Sequence, residues 1–165
     1  MSAVVIDENV LIVAEKQFAD DFTSDVCLRD CVRALRAARD QLIVLDARDL
    51  ILRKYLTQLK PLRREWEGSE FLIWLMDNQF RAEHCERVTI TPLNPSFAEV
   101  PLELRLPDAA HQIFDLDDHI WLAVAKASAN NPMILNATDT DWHHWRDRLE
   151  KHGFQIRFLC PELMT

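Results

Sequence analysis

Residues 3–12 read Ala3, Val4, Val5, Ile6, Asp7, Glu8, Asn9, Val10, Leu11, Ile12, and the fold is decided there. The first four are apolar and rich in β-branched side chains, which predicts a buried strand over 3–6 that opens the fold and stops at Asp7. Polar chemistry begins where that strand ends.

Working outward, the pattern turns helical from Ser24 to about Asp40. Cys27, Cys31, Ala34, Leu35 and Ala38 fall on one face, Arg29, Arg33 and Arg36 share another, and Ser24 is the expected N-cap. A second strand, Leu42 to Leu45, ends at Asp46 and is followed by a helix from Leu50 to about Leu59, stopped near Pro61. Phe71 to Phe80 reads as a short amphipathic helix and Arg87 to Thr91 as a third strand. The stretch 92–107, with Pro92, Pro95, Pro101 and Pro107, is looser. Asp115, Asp117 and Asp118 open an apolar helix from Ile120 to Ser128, and Met133 to Leu135 makes another strand. Asp139 and Asp141 lead into a helix running to His152, Gly153 caps it at C′, and Gln155 to Leu159 forms the last strand before Pro161. Strands alternating with helices predict an α/β domain over 1–165 with a mainly parallel central sheet covered on both faces.

Composition narrows the function. The 165 residues are 48% hydrophobic, enough for a sizeable core, and 19 Lys and Arg against 27 Asp and Glu leave a net charge of −8, so no protein-wide positive field draws the chain onto nucleic acid or anionic lipid. Only Gly68 and Gly153 occur, which excludes the glycine-rich turns of a P-loop or of a GxGxxG dinucleotide site. The apolar runs Phe71 to Met76 and Ile120 to Ala125 fall far short of the roughly 20 residues that span a bilayer. The first residues carry no basic region, and a soluble cytoplasmic protein without a membrane partner is expected. Cys27, Cys31, Cys85 and Cys160 read as small buried apolar residues; neither CxxC nor HExxH occurs, and structural zinc is not expected.

In open α/β sheets the functional crevice lies beyond the carboxyl ends of the strands, where strand order reverses. Asp7 follows the first strand, Asp139 and Asp141 follow the late strand at 133–135, and the group around Asp118 opens the helix between. If those two strands are neighbours, the acids converge. Crowded carboxylates repel and raise one another's pKa unless a cation binds among them, and hard oxygen ligands favour Mg²⁺ or Mn²⁺. Each acid also has a simpler reading as a helix cap, Asp115 and Asp117 most readily as caps or solvated acids and Asp141 as a first-turn acid.

The run from Ile6 to Ile12, a strand ending in Asp with Asn two residues on, resembles the opening motif of PIN-domain nucleases. Asp118 to Ala125 resembles their third acidic motif and Ile134 to Asp141 their last, and Leu149 to Pro161 resembles their usual close. The resemblance spans nearly the whole chain. It implies a Rossmann-like three-layer α/β/α sandwich and a metal-dependent endoribonuclease with an RNA substrate or, less often, a flap-type DNA nuclease. Asp7, Asp118 and Asp139 would be the catalytic and metal-binding residues for Mg²⁺ or Mn²⁺, with Asp141 as an accessory acid at the metal and Asn9 orienting Asp7 or the metal's water. A toxin-like role with an inhibitory protein partner, and a homodimer, also follow from the family alone.

One departure stands out. Where the family carries Glu early in the helix after the second strand, this chain has Lys54, within Ile51, Leu52, Arg53, Lys54 and Tyr55. Three consequences are open: the ammonium replaces one cation and leaves a one-metal site, or Lys54 points outward and Asp46 or Asp49 substitutes, or the chemistry is weak. The last leads to the alternative of a PIN-like module that binds protein or RNA without cutting it. Arg29, Arg33 and Arg36 read either as a solvated face or as a nucleic-acid-binding stripe. Trp74 and Trp121 read as core, while Trp142, beside Asp141, is expected to line a groove. A haloacid-dehalogenase-type phosphotransfer fold would need an Asp where Asn9 stands, and no GxSxG motif supports a serine hydrolase.

Overall fold

A computed structural model of the chain, describing residues 1–16 and 24–164, builds a five-stranded all-parallel sheet in the order β3-β2-β1-β6-β7. β1 is Ala3–Ile6, β2 Leu42–Asp46, β3 Cys85–Val88, β6 Met133–Asn136 and β7 Gln155–Phe158. β1 is central and buried throughout, as its unbroken apolar run requires. It pairs with β2 on one side, Ala3 to Leu42, and with β6 on the other, Ile6 to Leu135. Strand order therefore reverses between β1 and β6, and the crevice of this sheet opens there.

The helices complete a Rossmann-like three-layer α/β/α sandwich. α1 (Glu8–Glu15) packs against α2 (Asp25–Ala38), α3 (Leu50–Leu59) and α4 (Glu67–Asn78). α6 (His119–Ala127), buried from His119 to Ala125, packs on β1, β2 and β6, and α7 (Thr140–Lys151) packs on β7. α2 presents the face read from sequence: Cys27, Cys31, Ala34, Leu35 and Ala38 are buried, and Ser24 caps the helix by accepting from the Cys27 N–H at 3.0 Å. Among the described residues no helix is long and apolar enough to cross a membrane.

The structure departs from the sequence reading in four places. α1 was not expected, because its apolar residues form one unbroken run, 10–14, that carries no helical stripe; Val10, Leu11, Val13 and Ala14 are buried between helices and sheet. β3 starts two residues earlier than expected, because the ladder with β2 sets Ile43 opposite Cys85 and Asp46 opposite Val88. The proline-rich stretch holds a small antiparallel hairpin, β4 (Pro92–Leu93) with β5 (Ser96–Phe97), and a one-turn helix α5 (Leu102–Arg105). α4 starts at Glu67, four residues before the expected Phe71.

That early start of α4 depends on Gly68. A Cβ there would lie 2.4 Å from the Leu11 carbonyl oxygen and 3.1 Å from Glu15 Cβ, so the missing side chain is what lets α4 meet α1. The next residue secures the contact: the Glu15 carboxylate accepts from the Ser69 N–H at 2.8 Å and from its hydroxyl. Gly68→Ala, which in a free helix would gain about 1 kcal/mol, is predicted instead to destabilise by about 1–3 kcal/mol through overpacking. Urea unfolding checks this; an unchanged or raised midpoint would show that the two backbones can separate freely.

Candidate metal centre

β1 and β6 deliver two acids to the crevice. The Asp7 N–H donates to the Leu135 carbonyl at 3.0 Å, continuing the ladder one step past the strand. Asp7 then caps α1, its Oδ1 accepting from the Asn9 N–H at 3.0 Å. Asp139 caps α7 in the same way, with Oδ1 accepting from the Asp141 N–H at 2.9 Å. In each, capping occupies one oxygen of the two.

Asp118 differs. It ends the 3-10 turn Leu116–Asp118 and precedes α6, yet its side chain makes no capping hydrogen bond; Asp115 caps that turn, accepting from the Asp117 N–H at 3.1 Å. Asp118 is 7% exposed, and its Oδ2 is buried with no partner. A buried carboxylate oxygen left without a donor is costly, and such sites call for an ion, a proton or a water.

The electrostatics agree. Desolvation pushes the Asp118 carboxyl up to about 9, with Asp7, Asp139 and Asp115 adding like charge. Burial lifts Asp7 to about 8 against the opposing Asn9 N–H, and Asp139 adds to the rise. Asp141 is also raised, mainly by desolvation and then by Asp139 and Asp115, against a backbone hydrogen bond from Asp115. The four acids singled out in the sequence thus form one electrostatic cluster. They stand more openly than bound ligands do: among the described residues only Cys27, Cys31 and Cys160 bring three donor atoms within 4.8 Å of one another.

Three partners were not legible in advance. Asn136, fully buried at the end of β6, points its amide nitrogen at Asp7 Oδ2 (3.4 Å) and accepts from the Asp139 N–H through Oδ1 (3.2 Å), so one side chain ties both strand-end acids together. Glu8 brings a further carboxylate whose Oε2 is buried and unpartnered; desolvation raises its pKa and Lys54 opposes the rise. His119 fastens the turn beside Asp118: its Nε2 donates to the Phe114 carbonyl at 3.0 Å, which leaves Nδ1 to accept from the Ser96 hydroxyl at 2.6 Å. Burial lowers its pKa, in keeping with that neutral tautomer.

Asn9 takes a role besides the expected one. Its backbone orients Asp7, while its side-chain oxygen accepts from the Ala137 N–H at 2.9 Å and pins the β6–α7 turn to α1. Lys54 Nζ lies 4.0 Å from Glu8 Oε1, and its charge favours the ionised form of Asp7. It faces the acids rather than solvent. Asp46 cannot stand in for a missing ligand, since it is buried and its oxygens accept the N–H groups of Arg48, Leu50 and Ile51. Asp49 pairs with Arg87 at 2.8 Å.

Arg29, Arg33 and Arg36 are exposed along α2, with Arg33 3.7 Å from Asp30 and Arg36 paired with Glu67. Trp142 corrects the expectation of a groove-lining ring: it is fully buried, edge-on to Phe114 at 5.1 Å, because the first turn of α7 points it into the core beneath Asp141. Trp121 is core as expected, stacked 6.0 Å from Tyr55, whose hydroxyl donates to the Ile6 carbonyl beside Asp7.

Comparison with models of protein families, with curated proteins and with solved structures finds no match to this chain.

The raised carboxyls fix a pH dependence. Without metal, folded Asp7 and Asp118 keep protons that the unfolded chain releases near its ordinary value of 3.8. Their stabilisation is therefore complete below about pH 4 and is lost as pH rises through about 8 to 9. Asp118→Asn removes one such burden and is predicted to raise stability by about 1–3 kcal/mol at about pH 8 in chelator, while flattening the alkaline decline. Thermal melts across pH check it; a variant no more stable than wild type would mean that the Asp118 carboxyl is solvated.

Proposed function

We propose that the chain is a metal-dependent endoribonuclease of the PIN type, hydrolysing phosphodiester bonds at the carboxylate cluster between β1 and β6. The observation that carries this reading is the unpartnered buried oxygen of Asp118, set among Asp7 and Asp139 where the strand order reverses. An all-oxygen donor set suits Mg²⁺ or Mn²⁺, with Asp7, Asp118 and Asp139 as ligands and Asp141 as an accessory acid. A divalent ion bound there supplies water of lowered pKa, polarises the phosphoryl oxygen and offsets charge in the transition state.

The remaining chemistry belongs to the chain. Asn136 and Asn9 fix the strand-end acids against one another before any ligand arrives. Lys54, beside Glu8, supplies a fixed positive charge next to the acids, which would favour one divalent ion over two. Arg29, Arg33 and Arg36 are the candidates for backbone contacts with RNA. A protein that masks the cluster would regulate such an activity, as a toxin-like component requires.

Lys54 also favours a second reading, a PIN-like module that binds RNA or protein without cutting. The two are separated by calorimetric titration of Mn²⁺ and by cleavage of single-stranded RNA. The nuclease reading predicts one Mn²⁺ per chain, and Asp139→Asn, which keeps a capping residue and removes only the charge, is predicted to lose both binding and cleavage. Wild-type protein that takes up no Mn²⁺ and leaves RNA intact would overturn the nuclease reading in favour of the binding module.

A further inference from the structure

A second group of metal-ligating side chains lies past the edge strand β7, apart from the acids. The expectation of small buried apolar cysteines holds for Cys85 and Cys31, both free buried thiols. It misses what Cys27 and Cys160 do. β7 carries Cys160 onto the first turns of α2, where Cys27 and Cys160 form a disulfide and Cys31 Sγ lies 3.9 Å from Cys160 Sγ. All three residues are fully buried, and one sulfur from each lies within 4.8 Å of the other two.

A disulfide needs two sulfurs; the third is unexplained by it. Spacing explains why it is there: four residues on a helix place Cys27 and Cys31 on one face, and both look at the segment following β7. No carboxylate or imidazole joins the three sulfurs at that spacing among the described residues, so hard ions such as Mg²⁺ are not matched. We propose that, once the Cys27–Cys160 disulfide is reduced, Cys27, Cys31 and Cys160 form a trithiolate site for one soft d¹⁰ cation, Zn²⁺ or Cu⁺.

The chemistry balances with a dithiol reductant. One thiolate of the reductant attacks a sulfur of the disulfide and releases the other as a protein thiolate; the reductant's second thiolate then displaces the first protein sulfur. The protein keeps two thiols and the reductant leaves as its own disulfide. The incoming cation then replaces the three thiol protons, which pass to solvent. Burial pushes the Cys31 thiol up to about 12, so it stays protonated until a cation takes the proton's place. The oxidised and metal-bound forms exclude one another, and both hold the end of β7 to α2. The Ser24 hydroxyl, donating to Glu162 at 3.0 Å, spans the same two segments in the disulfide-bonded form.

The test uses the whole chain, disulfide-bonded or reduced with the reductant removed under anaerobic conditions. Co²⁺, as a spectroscopic stand-in for Zn²⁺, reads the thiolate-to-metal charge-transfer band, which carboxylate binding cannot give; Cu⁺ is titrated against a chromophoric chelator. Reduced wild type and Cys85→Ala are expected to take one equivalent through the sulfurs, the disulfide form none, and Cys31→Ala is expected to lose the band and the Cu⁺ uptake. The two arms tell which cation the site prefers. No charge-transfer band and no Cu⁺ uptake in reduced wild type, or an undiminished response in Cys31→Ala, overturns the proposal. Should Cys31→Ala fail to fold, as circular dichroism would report, the contrast between reduced and disulfide-bonded wild type decides by itself. Mn²⁺ binding at Asp139 is untouched by either outcome.

Discussion

Asp7 closes the central strand with its carboxyl out of water, and much of the nearby architecture is arranged around that placement. A carboxyl in such a position needs donors, neutralisation or both. The Asn9 N–H supplies a donor from α1, and Asn136 approaches from β6. Lys54 contributes charge from α3, and Tyr55 on the same helix anchors the carbonyl just before Asp7. Three elements, two of them remote in sequence, are thereby referred to one side chain. Asp118 then arrives from the turn before α6 with its Oδ2 unpartnered, so the cluster calls for a proton or a cation among its oxygens.

Much of the sheet was legible because its signals are local. β1 and α3 match their expected bounds, and β2, β6 and β7 differ from theirs by one residue, since each strand is a short apolar run stopped by a polar residue or turn. Where the reading slipped, a tertiary contact overrode a local preference. Gly68 and Ser69 lie outside the helix expected from Phe71, yet they belong to its first turn because α1 lies against them. Thr89, Ile90 and Thr91 look like strand, yet β2 provides pairing only as far as Val88.

The site divides in the same way. Strand ends announce acids, so Asp7 and Asp139 could be placed once β1 and β6 were taken as neighbours, and their pairing is what the ladder contains. Whether an acid merely caps a helix cannot be told from its spacing: Asp7, Asp115 and Asp139 all cap, while Asp118 does not. Asn136 and Glu8 carried no signal, because an amide ending a strand and a glutamate opening a helix are ordinary surface chemistry until the fold buries them. The meeting of Cys160 with α2 was equally hidden, since it depends on where β7 docks.

The pairing of β1 with β6 has a consequence in time. Val4 and Met133 are neighbours in the ladder although well over a hundred residues separate them along the chain. During synthesis from the N-terminus, Asp7 is made early and stays without its counterparts until the last third of the chain has left the ribosome. Non-local parallel pairing is also slow to form. Whatever the acid cluster does, a nascent or truncated chain lacking β6 cannot do it, so the ribosome that makes this protein is never exposed to its completed crevice before the strand after α6 has been added.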